Sequence, residues 1–281
     1  MPELPEVETI RRQLRPGLVG ASIVECAAFD HPKFTPGHLA VGHRVVEVGR
    51  RGKYLLVELE PDGPRSDAPD PSELVVHLGM TGRLRIEADA ASPLAATDVA
   101  HQRVRWTLDD GRVLVFSDVR RFGRVAVVPR GDHRGLATLE QMGPEPFDPA
   151  FDPVTLRARV NGSRRALKTQ LLSQRVVAGL GNIYADEALW ESAVHPSTRR
   201  LTVDQATRLH ASIRSVLAAG IAAGGTTLRD YRDARGERGG FQVELRCYGR
   251  AGEPCERCGD ELVRTVVDAR STTFCRTCQR R

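Results

Sequence analysis

Four cysteines near the C-terminus, Cys255-x2-Cys258-x16-Cys275-x2-Cys278, constrain the fold of this 281-residue chain more than any other feature. Two Cys-x2-Cys knuckles, each on a tight turn, offer the all-sulfur tetrahedral set of a structural zinc site. Disulfides are the alternative, disfavoured by the spacing and by a reducing compartment. Four protein ligands close the coordination shell, so one Zn2+ held by Cys255, Cys258, Cys275 and Cys278 folds this segment and does not catalyse. Arg264 and Arg270 lie between the knuckles, with Arg276, Arg280 and Arg281 beyond. A small cationic hairpin of this kind suits phosphate contact or insertion at a groove. Cys26 and Cys247 fall outside the pattern and read as ordinary thiols.

Ahead of the finger, two kinds of pattern follow one another. Pro5 to about Leu14 reads as a helix, with Pro near its start, Glu6 and Glu8 in its first turns, and Val7, Ile10 and Leu14 on one face. RPGLVG ends it. From there to about residue 128 the chain turns to short β-branched runs such as HRVVEVGRR, KYLLVEL, ELVVHLGM and RVLVFSDV, separated by turn signals, which predicts a sandwich or barrel. A Pro-rich loop at residues 61–73 interrupts two of these strands. Residues 131–153 hold the densest Pro/Gly cluster and mark a domain boundary. Helical periodicity then governs VTLRARV, ALKTQLLSQRVV, NIYADEALWESAV and VDQATRLHASIRSVLAAGIAAG, and the Gly- and Arg-rich GGTTLRDYRDARGERGGFQ reads as mobile.

Charge separates the same two parts. Residues 151–281 carry 22 Lys and Arg against 14 Asp and Glu, whereas residues 1–150 carry 19 against 22. A basic second half is the footprint of a polyanion, nucleic acid before membrane, because no basic amphipathic helix is evident. No run approaches the roughly 18 apolar residues of a membrane span, and the N-terminus lacks a signal-peptide core, so a cytoplasmic protein is expected. Lys33, Lys53 and Lys168 are the only lysines among 41 cationic residues. Arg cannot give up a proton near neutral pH and Lys can, so a retained Lys is a candidate for chemistry or for tight steric fit.

Two further stretches admit two readings each. In QRVVAGLGNIYADEAL, a helix ends at Gly179-Leu180-Gly181 and Asn182 caps the next, with Asp186 and Glu187 early in it. The glycines would let a partner's backbone approach, and free N–H groups at the helix start would take a phosphate, though a plain helical corner accounts for the pattern equally well. In MPELPEVETI, Pro2 becomes the N-terminus once Met1 is removed. An α-amino group titrates near pH 8 and a lysine near about 10.4, so an appreciable fraction of the Pro2 amine is a free nucleophile at neutral pH. Its attack on a sugar carbon gives an iminium, an electron sink for elimination, with Glu3 beside it to move protons. A terminus merely resistant to trimming is the other reading.

Taken together, PELPEVE, RRGKYLL, HLGMTGRL, DVRRFGR, MGPEPF, GLGNIYADEAL, GGTTLRDY, YGR and the four-cysteine finger resemble, in order and over essentially the whole chain, the formamidopyrimidine-DNA glycosylases. The resemblance implies an α+β protein. An N-terminal β-sandwich flanked by helices (1–130) leads through a linker (131–153) to a helical helix-two-turn-helix domain with a mobile lesion-recognition loop (154–240), then to a zinc finger (241–281). It implies a bifunctional glycosylase and abasic-site lyase acting as a monomer on double-stranded DNA containing oxidised purines, cytoplasmic and nucleoid-associated through that DNA. Pro2 would be the nucleophile at C1′, Glu3 the acid, Lys53 the proton donor for β-elimination, and Arg270 the residue associated with δ-elimination. His77, His101, Asn182 and Lys168 match DNA-contacting positions. Met80, Arg120 and Phe122 match the set that fills the hole left by the extruded base: Phe wedging the stack, Arg bonding the orphaned cytosine, Met occupying the space. Two positions depart from the family pattern. Val119 stands where Pro is common, and Ser163 stands where a cation is common, leaving Arg164 as the candidate for that contact.

The rival enzyme is an endonuclease VIII type glycosylase for oxidised pyrimidines, which shares Pro2, Glu3, the lysine and the finger. PELPEVE and the Met80, Arg120 and Phe122 set favour the purine enzyme. A lesion-binding zinc protein without catalysis would account for the finger and basic half, but binding requires no titratable amine at Pro2 and Lys53.

Overall fold

The computed structural model describes residues 1–63, 72–88 and 100–281. Helix α1 (Leu4–Leu18) opens the chain, with Glu3 as its N-cap and Pro5 in its first turn. Val7, Ile10, Leu14 and Leu18 form its buried stripe, each side chain contributing on the order of 2 kcal/mol by leaving water. The helix runs past the expected end at Leu14. Pro16 sits in the last turn, where the lost hydrogen bond is outweighed by burial of Leu18, and Gly20, at φ 91°, carries the chain into the sheet.

Eight antiparallel strands follow: β1 (Ser22–Ala28), β2 (His43–Arg51), β3 (Tyr54–Pro61), β4 (Ser72–His77), β5 (Arg83–Glu87), β6 (Gln102–Leu108), β7 (Val113–Ser117) and β8 (Arg124–Pro129). They form one hydrogen-bonded sheet in the order β5-β7-β6-β1-β2-β3-β4-β8. β1 and β2 pair only at Ser22 with Arg44 and Ile23 with His43, whereas β2 and β3 pair along their length. The two halves therefore meet at a corner and share one core. Leu84, Trp106 and Phe116 come from one half, Leu55, Leu74, Val76 and Val125 from the other, with α1 and Phe34 between them. The sandwich is thus a single sheet folded over itself. Of the Pro-rich loop expected at 61–73, residues 64–71 lie outside the described residues.

After the short helix α2 (Ala137–Glu140), the second half is built from α3 (Pro153–Asn161), α4 (Leu167–Leu172), α5 (Asn182–Glu191) and α6 (Val203–Ala222). Asp152 caps α3 through Thr155 N at 2.7 Å, and a Thr202 and Gln205 capping box starts α6. Leu156, Leu171, Leu189, Leu209 and Leu217 form their core, joined by Leu4 from α1. One turn of α1 thus belongs to the helical core and the rest to the sheet core. Periodicity predicts a single helix over 166–177, but α4 stops at Leu172. Gln174, at φ 65°, replaces the helical bonds with its own side chain, accepting from Gly179 N at 2.8 Å and donating to Leu180 O at 2.6 Å.

The C-terminal hairpin pairs β9 (Leu262–Val267) with β10 (Arg270–Cys275) through a two-residue turn in which Asp268 and Ala269 both have positive φ, the twist that suits a tight hairpin. Trp190 of α5 packs with Cys247, Cys255, Leu262 and Cys275 beneath it.

Candidate active site

The N-terminus is anchored by the helical half. Leu4 N donates to Gly179 O at 3.1 Å, and the Glu3 carboxylate accepts from Gly181 N at 2.5 Å and Ile183 N at 3.0 Å, at the start of α5. A Cβ on Gly181 would lie 2.2 Å from Glu3 Cδ, and one on Gly179 would lie 2.4 Å from a Leu4 methyl. The two glycines do admit a close neighbour, and that neighbour is the chain's own first turn. Two expectations are corrected here. Gly181, not Asn182, is the N-cap of α5, and the Glu3 carboxylate, not a phosphate, occupies the N–H groups at the helix start. The same attraction of a helix N-terminus for an anion accounts for both. Asn182 is instead the first helical residue and donates its amide to Ser271 O at 3.0 Å.

Glu6, read from the sequence only as a first-turn acid, is a member of this site. Its carboxyl is buried and accepts from Glu3 N at 2.7 Å, Thr226 N at 2.6 Å and the Tyr184 hydroxyl at 2.8 Å. Burial, reinforced by the neighbouring Glu3 charge, pushes its pKa up to about 7. The Glu3-x-x-Glu6 spacing of a capping box was the available signal. Through Thr226, Glu6 holds the base of the Gly- and Arg-rich stretch. That stretch also docks Tyr231 and Asp233 on α1, with Gln13 donating to Asp233 at 2.7 Å, while Leu228, Arg229 and Asp230 stay exposed.

Lys53 follows Gly52, at φ 55°, in the β2–β3 turn and is buried. Burial lowers its pKa and the nearby Arg270 adds to the effect, against the opposing pull of Glu3 and Glu6. Glu3 and Glu6 from the N-terminus and Arg270 from the finger therefore all lie within electrostatic reach of Lys53. The turn itself is clamped to the linker: Gly52 N donates to Glu145 at 2.7 Å, Arg51 donates to Gly143 O at 2.5 Å, and Arg50 pairs with both Glu145 and Glu8. Next to it, His77 lies 4.7 Å from the Tyr54 ring, and burial, then the charges of Lys53 and Arg124, depress its pKa to about 4. Its Nδ1 accepts from Gly79 N at 3.2 Å, so the neutral ring carries its proton on Nε2, where it can donate to an anion without being charged.

Met80 (38% exposed), Phe122 (49% exposed) and the exposed Arg120 project from two adjacent loops, with the Arg120 guanidinium 4.8 Å above the Phe122 ring. Between them and the N-terminus lies a pocket of about 320 Å³, lined by Pro2, Glu6, Met80, Arg120, Thr226 and Tyr248 among others. His101 sits just before β6, its carbonyl accepting from Asp118 N at 2.9 Å. Arg164 is exposed between α3 and α4. Lys168 is placed differently from the expected surface contact. It is 0% exposed, lies 2.6 Å from Asp186, and donates to Ser271 O at 2.8 Å and Thr272 Oγ1 at 2.9 Å. Buried among these partners, it fastens α4 and α5 to β10 immediately after Arg270. Lys33 donates to Arg121 O at 3.0 Å. The three retained lysines thus divide between tight fit and candidate chemistry.

The four sulfur atoms of Cys255, Cys258, Cys275 and Cys278 lie within 4.8 Å of one another, with Cys255 to Cys278 at 4.0 Å and Cys258 to Cys275 at 3.4 Å. Zinc–sulfur bonds of about 2.3 Å in a tetrahedron call for spacings close to these. The indole of Trp190 donates to Cys255 at 3.4 Å, a bond that suits a thiolate ligand. Cys247 stands apart and donates to Thr273 O, and burial pushes the Cys26 thiol up to about 12.

Comparison with known proteins accounts for the same architecture. Residues 1–125 match the formamidopyrimidine-DNA glycosylase N-terminal domain, 142–232 the H2TH domain of that enzyme, and 252–281 a zinc finger found in FPG and IleRS. Formamidopyrimidine-DNA glycosylases of Deinococcus radiodurans and Thermus thermophilus are each 44% identical, over 99% of this chain and 97% and 98% of theirs. The crystal structure of MutM (Fpg) from Thermus thermophilus superposes with a TM-score of 0.86 at 45% identity, over 99% of this chain and 98% of that one. A Lactococcus lactis Fpg mutant in complex with Fapy-dG-containing DNA gives 0.84 at 35% identity, with both chains covered in full.

Proposed function

The chain belongs to the formamidopyrimidine-DNA glycosylase family, and from that premise we propose how its residues divide the work of a bifunctional DNA glycosylase and abasic-site lyase of base excision repair. Duplex DNA lies in the cleft between the sheet and helical halves. Met80, Arg120 and Phe122 enter the stack as a lesion is extruded into the pocket beside Pro2, and Arg120 bonds the orphaned cytosine. The Pro2 amine, freed by loss of Met1, attacks C1′. The glycosidic bond breaks with its electron pair leaving on the base, which takes up a proton from the Glu3 side of the pocket. Opening of the sugar leaves an iminium that acidifies the C2′–H bond, so that loss of the C2′ proton expels the 3′ phosphate by β-elimination and loss of the C4′ proton expels the 5′ phosphate by δ-elimination. Lys53 supplies a proton in the first elimination, and Arg270 assists the second.

One observation carries this reading: Lys53 of the β2–β3 turn lies within electrostatic reach of Glu3 and Glu6 from the N-terminus and of Arg270 from the finger, and Glu6 lines a pocket together with Pro2. His77, His101, Asn182 and Arg164 complete the proposed backbone contacts, with His77 donating as a neutral ring. The zinc ion, bound by its four cysteines, supplies a structural cross-link, and those cysteines hold the hairpin that carries Arg270. The domain divisions 1–130, 131–153, 154–240 and 241–281 are part of the same proposal. No described helix is long and apolar enough to cross a membrane. The reading places the enzyme in the cytoplasm, on nucleoid DNA, as a monomer.

Single-turnover excision from a panel of duplexes tests the substrate assignment. Rates on 8-oxoguanine and formamidopyrimidine opposite cytosine should exceed those on oxidised pyrimidines and on the same purines opposite adenine. Faster excision of oxidised pyrimidines would move the enzyme to the endonuclease VIII type.

A further inference from the structure

The two loops that carry Met80, Arg120 and Phe122 are separated in sequence by some forty residues, yet their backbones touch. A Cβ on Gly79 would lie 2.4 Å from Gly123 N and 2.5 Å from the Phe122 carbonyl carbon. What fastens them is the carboxylate of Asp118, which is 0% exposed. Its Oδ1 accepts from the Thr81 hydroxyl at 2.5 Å and from Arg120 N at 3.2 Å, and its Oδ2 accepts from Gly123 N at 2.7 Å. Arg120 N also reaches Thr81 Oγ1 at 3.1 Å, so the hydroxyl bridges the loops directly. The Asp118 backbone is held in turn, its N–H donating to His101 O at 2.9 Å and its carbonyl accepting from Arg103 Nε at 2.8 Å. One buried anion thus receives a donor from the Met80 loop and donors from both sides of the exposed Arg120–Phe122 segment, in which Arg121 has a positive φ of 55°.

We propose that Asp118 and Thr81 are positioning residues for opposite-base discrimination, a latch that locks the Met80 loop to the Arg120–Phe122 loop so that the three side chains enter the duplex as one rigid unit. The proposal rests on the reading of those three residues as the group that fills the vacated space. A guanidinium recognises the base-pairing edge of one pyrimidine only if its backbone is fixed. Released from Asp118, the Arg120 loop can shift to accommodate a purine, and the penalty against the wrong partner falls.

The chemistry of the latch selects the variants. Asp118→Asn turns an NH2 group toward one of three donors and breaks it, Thr81→Val keeps the shape but removes the bridge, and Thr81→Ser restores the bridge. The readout is the ratio of single-turnover excision rates of 8-oxoguanine opposite cytosine and opposite adenine. Borohydride trapping on a single-stranded abasic oligonucleotide, which has neither stack nor orphan base, serves as the control. Loss of one hydrogen bond to a charged group should lower the ratio by about tenfold in Asp118→Asn and Thr81→Val, with Thr81→Ser near the wild type and trapping unchanged throughout. A wild-type ratio in Thr81→Val, or equal loss of single-strand trapping, overturns the latch. Should Asp118→Asn fail to fold, the Thr81 pair decides. Arg120→Ala separates the two levels: if it leaves the ratio unchanged, the space-filling reading itself fails, whereas a collapsed ratio beside an unaffected Thr81→Val refutes the latch alone.

Discussion

Glu6 is a carboxyl that the fold keeps close to half-protonation at neutral pH. It titrates near 4.5 ordinarily and near 7 in the folded protein, so the folded state holds its proton more tightly than the unfolded chain does. The resulting stabilisation is complete below about pH 4.5 and is lost as pH rises through 7, amounting to roughly 3 kcal/mol. Glu6→Gln lacks this term. Its unfolding free energy should start below that of the wild type in acid, because Glu3 N loses an acceptor, and the gap should narrow by up to that amount between about pH 4.5 and pH 8. Denaturant titrations at the two pH values check this, and a constant offset would contradict it. Pro2, Glu3 and Lys53 were legible as candidates because their chemistry is written in residue type and position. The burial of Glu6 and Lys168 was not, because it depends on Tyr184, Thr226, Asp186 and Thr272, which only the tertiary structure brings near.

At the scale of elements, α5 joins the N-terminus of the chain to the zinc centre. Glu3 sits at its N-terminus, Asp186 accepts from Thr273 N of β10, Glu187 accepts from Arg246, Cys247 and Tyr248 backbone N–H groups, and Trp190 donates to Cys255 at its far end. Removing zinc should therefore do more than loosen a hairpin. It should release Arg270 from its position and abolish DNA binding, while the β-sheet stays folded. The two tryptophans report this separately: emission from Trp190 should shift on chelation, whereas that from Trp106, buried in the sheet core, should not. A metal-free protein with full DNA affinity would contradict the role given to the finger. The strands, the finger and the first helix were legible from period and spacing. The end of α4 was not, because the side chain of Gln174 supplies bonds that periodicity does not register, and neither was the capping of α5 by a carboxylate from nearly 180 residues earlier in the chain.

At the scale of the whole molecule, the uneven charge fits one wall of the proposed DNA cleft. Arg229 of the basic half and Arg120 of the sheet half line the pocket beside Pro2 together, and Arg164 and Arg270 are exposed. Counterion release then predicts that DNA affinity falls steeply and linearly on a logarithmic scale with salt, and a flat response in a filter-binding or anisotropy titration would contradict the cleft. The two-part organisation and its polyanion partner were readable from composition. The folding of one sheet into both layers of the sandwich, and the division of α1 between two cores, were not, because strand order and helix docking are global choices that local pattern leaves open. α1 ties the scales together, since it holds a normally frayed terminus where Pro2 lines the pocket. Borohydride trapping on an 8-oxoguanine duplex tests that claim most directly. The wild-type protein should form a covalent adduct with the DNA, mapped by mass spectrometry to Pro2, and Pro2→Gly should lose it while retaining binding. An adduct mapped to any other residue, or no adduct from a protein that binds the duplex normally, would contradict the account.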